Sequence, residues 1–289
     1  MKRTLLCLTA FALLGACKKN PDTTQPDDTK TGDTGAATEP AGGGTAPAGV
    51  PQEPDPAGIA QARDQYLLGN FDKAKEILEP LTADLKTRQQ LRASGLSAGW
   101  LALSVVEPVA ENAKEPAEHA VAMGDQTGDK EVQIVAKLAL GAYQLGIDDD
   151  TNAATTFEAA YKLQSDGPNA GLALVLYGEA KINMAFGGED KDQLANPGEL
   201  DSAASTFVKA QRAAAAPGNE LIAARAFEGL ASVANYKKNF KEACTQAEEA
   251  LKIYTAKSAG QALTDRIAAI KDAANCGAPA APAAKAKAK

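Results

Sequence analysis

Gly95, Ser97 and Gly99 match the G-x-S-x-G pattern, in which a strained turn presents a nucleophilic serine. That chemistry requires a turn between a strand and a helix, and a histidine that accepts the serine proton. Residues 88–93, just before the motif, have helical character instead, and the only histidine, His119, falls in the next expected helix of the same hairpin. We therefore predict that these small residues allow close helix packing and that the chain is not a hydrolase.

Asp148, Asp150 and Asn152 have the spacing that begins a calcium-binding loop. However, Ala153 stands where the loop needs glycine, and Ala159 stands where it needs a bidentate glutamate. The acidic run is better suited to the start of a helix near residue 151, where side-chain oxygens accept hydrogen bonds from free N–H groups and favour the helix dipole. The sequence does not predict a calcium site.

His119 is surrounded by Glu111, Glu115 and Glu118, with no cysteine or second histidine at metal-ligand spacing. The sequence contains neither a phosphate-binding glycine loop nor a dinucleotide fingerprint. We expect His119 to be a partly exposed helix residue. We also expect no metal, no cofactor and no enzymatic activity.

The start of the chain has the pattern of a secretory signal. Lys2 and Arg3 precede the apolar residues 5–16. This apolar run is too short for a mature bilayer span, which needs ~20 residues. We therefore expect residues 1–16 to be a signal peptide that is removed after export.

The end of this run, Leu14-Gly15-Ala16-Cys17, resembles the lipobox of bacterial lipoproteins. The resemblance implies cleavage before Cys17 and a lipid on that cysteine, usually diacylglyceryl and often a third acyl chain such as palmitate. Two or more chains anchor a protein stably, because each buried CH2 contributes ~0.8 kcal/mol. The resemblance implies a membrane-anchored protein of the cell envelope, and Lys18 in place of an aspartate retention signal favours the outer membrane, facing the periplasm. An ordinary signal peptide followed by a coincidental cysteine is the alternative.

Export also affects charge and cysteine chemistry. Loss of Lys2 and Arg3 leaves 28 of the 30 basic residues against 37 acidic residues, a net charge of −9, which disfavours binding to nucleic acid. Of the four cysteines, Cys244 and Cys276 remain as a candidate disulfide in an oxidising compartment. Two free buried thiols are the alternative.

The two ends of the mature chain have the composition of unfolded segments. Residues 18–56 contain Pro, Gly, Thr, Asp and Ala with almost no large apolar side chain, and residues 277–289 repeat Ala, Pro and Lys. Such segments cannot bury enough surface to offset the entropy of ordering. We expect Cys17 and residues 18–56 to form a tether with a span of roughly 35 Å, and residues 277–289 to form a disordered tail.

The body, residues 57–276, is predicted to be all-α because apolar positions recur at helical rather than strand spacing. Ile59, Ala62 and Tyr66 form one helical stripe, and a second stripe begins at Ala74 after a turn at Gly69 and Asn70. This arrangement predicts an antiparallel helical hairpin.

Similar hairpins recur along the chain, with small residues at spacings that resemble the tetratricopeptide repeat. The resemblance implies a solenoid of about five hairpins over residues 57–256, with a closing helix at 259–275. One copy is degenerate (residues 85–124), and another carries an insertion expected to form a loop, including residues 187–192 and 196–198. The alternative is an unrelated stack of helical hairpins. The residues expected to pack the repeats are Gly69, Ala74, Gly141, Ala153, Phe157, Ala160, Gly178, Ala203, Phe207, Ala210, Ala231 and Ala243.

Solenoids of paired helices commonly bind extended peptides or partner helices on a concave surface. We therefore expect a lipid-anchored envelope scaffold that binds a protein partner whose identity the sequence does not reveal. The alternatives are a carrier or enzyme accessory that holds a small ligand or glycan in the same concavity, and an enzyme with an unrecognised site. Trp100, Tyr143 and Tyr177 are expected to fill grooves between helices rather than to contact a partner.

Overall fold

The computed structural model describes residues 51–107, 109–186 and 193–277. The expected signal peptide, Cys17, most of the expected tether and the tail from residue 278 lie outside the described residues. Within the described ranges, eleven α-helices and one 3-10 turn account for nearly all regular structure, and the only strand-like pairing is a bridge between Phe186 and Leu194. The all-α prediction is confirmed for this part of the chain.

The helices follow one another with short connections. In chain order they are α1 (Ala57–Leu67), α2 (Phe71–Thr87), α3 (Leu91–Val105), α4 (Lys114–Thr127), α5 (Lys130–Gly146), α6 (Asp150–Leu163), α7 (Ala170–Ala185), α8 (Pro197–Ala213), α9 (Glu220–Tyr236), α10 (Phe240–Ala256) and α11 (Gln261–Ala273). The 3-10 turn, Ala110–Ala113, leads directly into α4.

Consecutive helices pack against one another, which gives five hairpins from α1–α2 to α9–α10 and a final helix, α11. The odd-numbered helices also contact the next odd-numbered helix, whereas the even-numbered helices mainly contact their neighbours in sequence. The odd-numbered helices therefore form a continuous inner layer, and the even-numbered helices cover it from outside.

Phenylalanine rings pack directly against glycines where helices of this stack meet. A Cβ atom on Gly141 of α5 would come within 2.6 Å of the Phe157 ring of α6. Phe207 of α8 lies against two glycines, Gly178 of α7 and Gly229 of α9, and is fully buried. Apart from Gly69, Gly141 and Gly178, the residues expected to pack the repeats are also buried hydrophobic residues: Ala74, Ala153, Phe157, Ala160, Ala203, Phe207, Ala210, Ala231 and Ala243.

Two local predictions were wrong. Residues 88–93 are not one helical segment, because α2 ends at Thr87 and Gln89 takes a left-handed conformation (φ 55°) before α3 begins. Pro197 and Gly198 are not in a loop but are the first two residues of α8. Proline suits the first helical position because its missing N–H would have no partner there in any case.

The folded body also begins earlier than expected. Residues 51–56, placed in the tether by composition, include three residues that contact the turn between α2 and α3. The Gln90 side chain donates a hydrogen bond to the Pro51 carbonyl (3.0 Å) and accepts one from the Glu53 backbone N–H (2.8 Å). Composition missed this segment because its contacts are polar and come from distant residues.

Candidate functional site: a central polar cluster

Six polar side chains from five helices meet in the interior of the stack, and we call them the central polar cluster. Five are buried, and Arg266 retains 13% of its side-chain surface. Burial of several ionised groups is uncommon in proteins unless they are paired. The members are Tyr66 of α1, Glu179 of α7, Arg225 and Glu228 of α9, Tyr254 of α10 and Arg266 of α11.

Arg225 links the first hairpin to the fourth. Its Nη1 donates a hydrogen bond to the Tyr66 hydroxyl oxygen (3.2 Å), and its Nη2 donates to Glu179 Oε1 (3.0 Å). The guanidinium carbon also lies 5.9 Å from the centre of the Tyr66 ring. One side chain therefore joins α1, α7 and α9, although Tyr66 and Arg225 are 159 residues apart.

Arg266 and Tyr254 complete the cluster around Glu228. Arg266 Nε lies 2.6 Å from Glu228 Oε1, and the Tyr254 hydroxyl donates a 2.7 Å hydrogen bond to Glu228 Oε2. A second nitrogen of Arg266, Nη2, lies 3.7 Å from Glu179 Oε1. Both buried carboxylates are thus paired with guanidinium groups.

The surrounding protein determines the protonation states of Arg225, Arg266 and Tyr254. Burial alone would lower the pKa of Arg225, but neighbouring Tyr66 and Glu179 raise it well above its usual value. Burial alone would likewise lower the pKa of Arg266, but Glu228 and Glu179 raise it above its usual value. Burial and the charge of Glu228 raise the pKa of Tyr254 well above its usual range. At neutral pH the arginines are charged and Tyr254 is protonated, so these groups stabilise charge rather than exchange protons.

A third carboxylate lies near this cluster. Glu107 follows α3 and is exposed, yet surrounding protein raises the pKa of its carboxyl group. Its charge interacts with Arg266 and Arg225, which lower that pKa, and with Glu179 and Glu228, which raise it. Glu107 is therefore a carboxylate near the two guanidinium groups but outside the buried cluster.

A small cavity opens beside the cluster between α7, α9 and α11. Its volume of about 20 Å³ has room for one water molecule, far less than the several hundred Å³ of typical ligand pockets. Tyr236 at its edge also packs edge-on against Phe186, with ring centres 4.7 Å apart. The lining residues are Glu179, Ile182, Glu228, Gly229, Ser232, Tyr236 and Arg266.

The G-x-S-x-G residues lie inside α3, not on a strand-to-helix turn. Cβ atoms on Gly95 and Gly99 would collide with Val132 and Val135, which shows how closely α3 approaches α5. Ser97 is fully buried, and its Oγ lies 2.6 Å from the Oγ1 atom of Thr82. Close packing therefore accounts for this motif.

His119 is half-buried, and its Nε2 lies 2.8 Å from the hydroxyl oxygen of Ser94. Burial, with a further contribution from Lys86, lowers the pKa of the imidazole, while Glu115 raises it. The Ser94 side chain is only 1% exposed. This pair joins α3 to α4.

Cys244 and Cys276 form a disulfide, with 5.5 Å between their Cα atoms. The bond ties the start of α10 to the residues that follow α11, and the half-buried cysteines pack against Ala234, Ala243 and Ala274. Cys17, the expected lipid attachment site, lies outside the described residues.

Sequence reasoning missed the central polar cluster and Gly229. A signal was present in α9, where Ile222, Arg225, Ala226 and Gly229 share the i, i+3, i+4, i+7 spacing of a buried stripe. An arginine within such a stripe indicates a buried charge that needs a partner. The partners could not be found locally because most of them lie in other hairpins.

The aromatic residues expected to fill grooves have different environments. Trp100 is 2% exposed and packs at a tilted angle against Tyr66, with ring centres 5.6 Å apart, whereas Tyr143 and Tyr177 are half-buried. Among the residues that the structure describes, no group of three His, Cys, Asp or Glu side chains could hold a metal ion. No helix in the described ranges combines the length and apolar character needed to cross a membrane.

No protein-family model matches the chain, and the comparison with curated proteins finds no significant match.

Proposed function

We propose that this chain is a lipid-anchored scaffold of the cell envelope whose helical body binds a protein partner without catalysis. The lipobox-like Leu14-Gly15-Ala16-Cys17 supports the anchor, and Lys18 supports the outer membrane, facing the periplasm. The Cys244–Cys276 disulfide suits an exported protein, because oxidising compartments allow such bonds to persist.

The order of helix contacts supports the tetratricopeptide-like interpretation. Each hairpin packs against the next, and the first helix of each hairpin also contacts the first helix of the following one. Repeat proteins of paired helices build their inner binding surface from such first helices. The close packing of Phe157 and Phe207 against glycines supports the same interpretation.

The observation that carries the proposal is that one small cavity is lined both by buried charged groups of the cluster and by the partly exposed Ser232 and Tyr236 of α9. Tyrosine is enriched at protein interfaces, since its ring supplies contact area and its hydroxyl group a hydrogen bond. The charged residues that line this cavity are two carboxylates, Glu179 and Glu228, and one guanidinium group, Arg266. We therefore propose that the partner places a basic segment at this opening.

The test compares the wild-type full chain with two variants as bait in envelope extracts, with the captured proteins identified by mass spectrometry. Ser232→Arg adds bulk and positive charge at the opening, whereas Thr245→Arg adds the same group to the exposed surface of α10. The wild type and Thr245→Arg should retain one common protein, and Ser232→Arg should lose it. Equal retention by all three would contradict the proposed binding surface.

Membrane attachment is tested separately with Cys17→Ser. This variant should leave the membrane fraction while keeping the helical circular dichroism of the wild type, because Cys17 is proposed to determine location and not folding. A Cys17→Ser protein that stays in the membrane fraction would disprove the lipid anchor.

A carrier of a small ligand or glycan is the alternative function. The cavity of about 20 Å³ gives it no specific support, since such ligands require more space. Ligand-dependent stabilisation of the purified chain in a thermal melt would favour the carrier.

A further inference from the structure

The closing helix α11 connects the two ends of the stack. At its start, the Gly260 backbone N–H donates a 2.6 Å hydrogen bond to the Leu68 carbonyl in the turn between α1 and α2. Leu263 packs against Gly69 in the same turn so closely that a Cβ atom on Gly69 would lie 2.6 Å from Leu263 Cγ. The start of the last helix thus contacts the turn of the first hairpin.

The same helix covers the charged interior. Arg266 projects from α11 onto Glu228 and Glu179, and it lines the small cavity. Movement of α11 away from α9 would remove one of the two guanidinium groups that pair with these carboxylates. It would also widen the opening beside Ser232 and Tyr236, where the partner is proposed to bind.

Few large side chains hold α11 in place. It buries Leu263, Ile267 and Ile270 along one face, against α9 and α10. A helix of 13 residues is marginal by itself in water, so its persistence depends on these contacts and on the ion pairs of Arg266. The Cys244–Cys276 disulfide attaches the C-terminal end of α11 covalently to the start of α10.

We infer that the Cys244–Cys276 disulfide is a redox-controlled fastening of α11, and that its reduction releases α11 from α9 and α10 and uncovers the central polar cluster. The reductant is a dithiol, of a protein or a small molecule. The disulfide gains two electrons and two protons to become two thiols, while the dithiol becomes a disulfide. As regulation of partner binding this inference rests on the proposed function, but the opening itself does not.

The expected size of the effect follows from chain entropy. The bond joins residues 32 positions apart, and a disulfide that closes such a loop restricts the opened chain strongly. Its loss should raise the population of locally opened α11 on the order of 100- to 1,000-fold. Helices that do not contact α11, such as α5, should keep all their packing.

Hydrogen–deuterium exchange of the full chain, with and without dithiothreitol, tests this inference. After reduction, the Gly260 amide and the amides of residues 261–273 should exchange faster by about that factor. Amides of α5 should keep their rates. Unchanged exchange in α11 after complete reduction would overturn the inference, and so would an equal acceleration in every helix.

A Cys244→Ser/Cys276→Ser double variant provides the matched control. It should show fast exchange in α11 without reductant, and dithiothreitol should then have no further effect. Circular dichroism would establish that the remaining helices are folded. Slow exchange in α11 of this folded variant would also refute the inference.

Partner capture in both redox states separates the two proposals. If α11 opens on reduction but no partner is retained in either state, the scaffold proposal fails and the redox inference stands. If a partner is retained equally in both states while α11 stays closed, the redox inference fails and the scaffold proposal stands.

Discussion

The glycine–phenylalanine contacts in the middle hairpins differ in kind from the central polar cluster. Phe157 and Phe207 pack on glycines of adjacent helices, and each contact is apolar and complete within one or two hairpins. The cluster instead joins Tyr66, Glu179 and Arg266, which come from the beginning, middle and end of the body. The apolar contacts join neighbouring helices, whereas the charged contacts join helices that are far apart in the sequence.

The two regions should also respond differently to substitution. In the glycine–phenylalanine contacts, added volume is harmful because the helices already touch. In the cluster, removal of one ionised group is harmful because its partner stays buried without compensation. Arg266→Met and Gly178→Ala test this difference, and smaller effects expected at Ser97 and His119 provide a scale for it.

The largest effect is expected from Arg266→Met. Glu228 would lose its guanidinium partner and retain only Tyr254, so the free energy of unfolding should fall by about 3–5 kcal/mol. Urea unfolding followed by circular dichroism, with the disulfide intact, measures this change.

Lys257→Met serves as the control, because Lys257 pairs with Glu220 at the surface, where both side chains are more than two-fifths exposed. Lys257→Met should lower the free energy of unfolding by no more than about 1 kcal/mol. A double variant, Glu228→Leu with Arg266→Met, should recover part of the loss, since neither charge is then left unpaired. If Arg266→Met and Lys257→Met lower the free energy of unfolding by the same amount, the buried cluster stabilises the fold no more than a surface ion pair does.

Gly178→Ala should have the next largest effect. The new Cβ atom would lie within about 2.7 Å of the Phe207 ring, so the free energy of unfolding should fall by about 1–3 kcal/mol. Gly198→Ala makes the same change at a helical position with open space around it, and it should be neutral or stabilising by up to ~1 kcal/mol. If both variants melt at the same temperature, α7 and α8 do not pack as described.

Ser97→Ala should have a smaller effect. The substitution removes the hydrogen bond between the Ser97 and Thr82 hydroxyl groups, at a cost of about 0.5–1.5 kcal/mol in unfolding free energy. Thermal melts monitored by circular dichroism would detect it. Esterase activity that is present in the wild type and lost in this variant would contradict the packing explanation of the motif.

The smallest expected effect concerns pH and His119. Its pKa in the folded protein lies below the ordinary 6.5, so the unfolded chain binds a proton more readily than the folded chain does. The stability contribution is therefore present above pH 6.5 and is lost as the pH falls below that value. Urea midpoints between about pH 5 and pH 7.5 should reveal this slope, and His119→Gln should reduce it. An unchanged slope would assign the pH dependence to other groups.

Local pattern predicted much of the fold, because helix formation and hairpin packing depend on residues close in sequence. The stripe from Ile59 to Tyr66, the turn at Gly69 and the pairing of Gly141 with Phe157 could all be inferred within one hairpin. Helix ends were less predictable. Gln89 adopts a left-handed conformation, which is uncommon outside glycine, asparagine and aspartate, and residue type gave no sign of it.

Taken alone, the sequence determined that the body is helical, that its hairpins repeat and that small residues let helices approach closely. Only the tertiary structure decided that α11 returns to the first hairpin and that Arg225 and Arg266 pair with Glu179 and Glu228 in the interior. The physical reason is distance along the chain. Helical periodicity is a property of a few consecutive turns, whereas a buried charge is stabilised by whichever opposite charge the completed fold brings within about 3 Å.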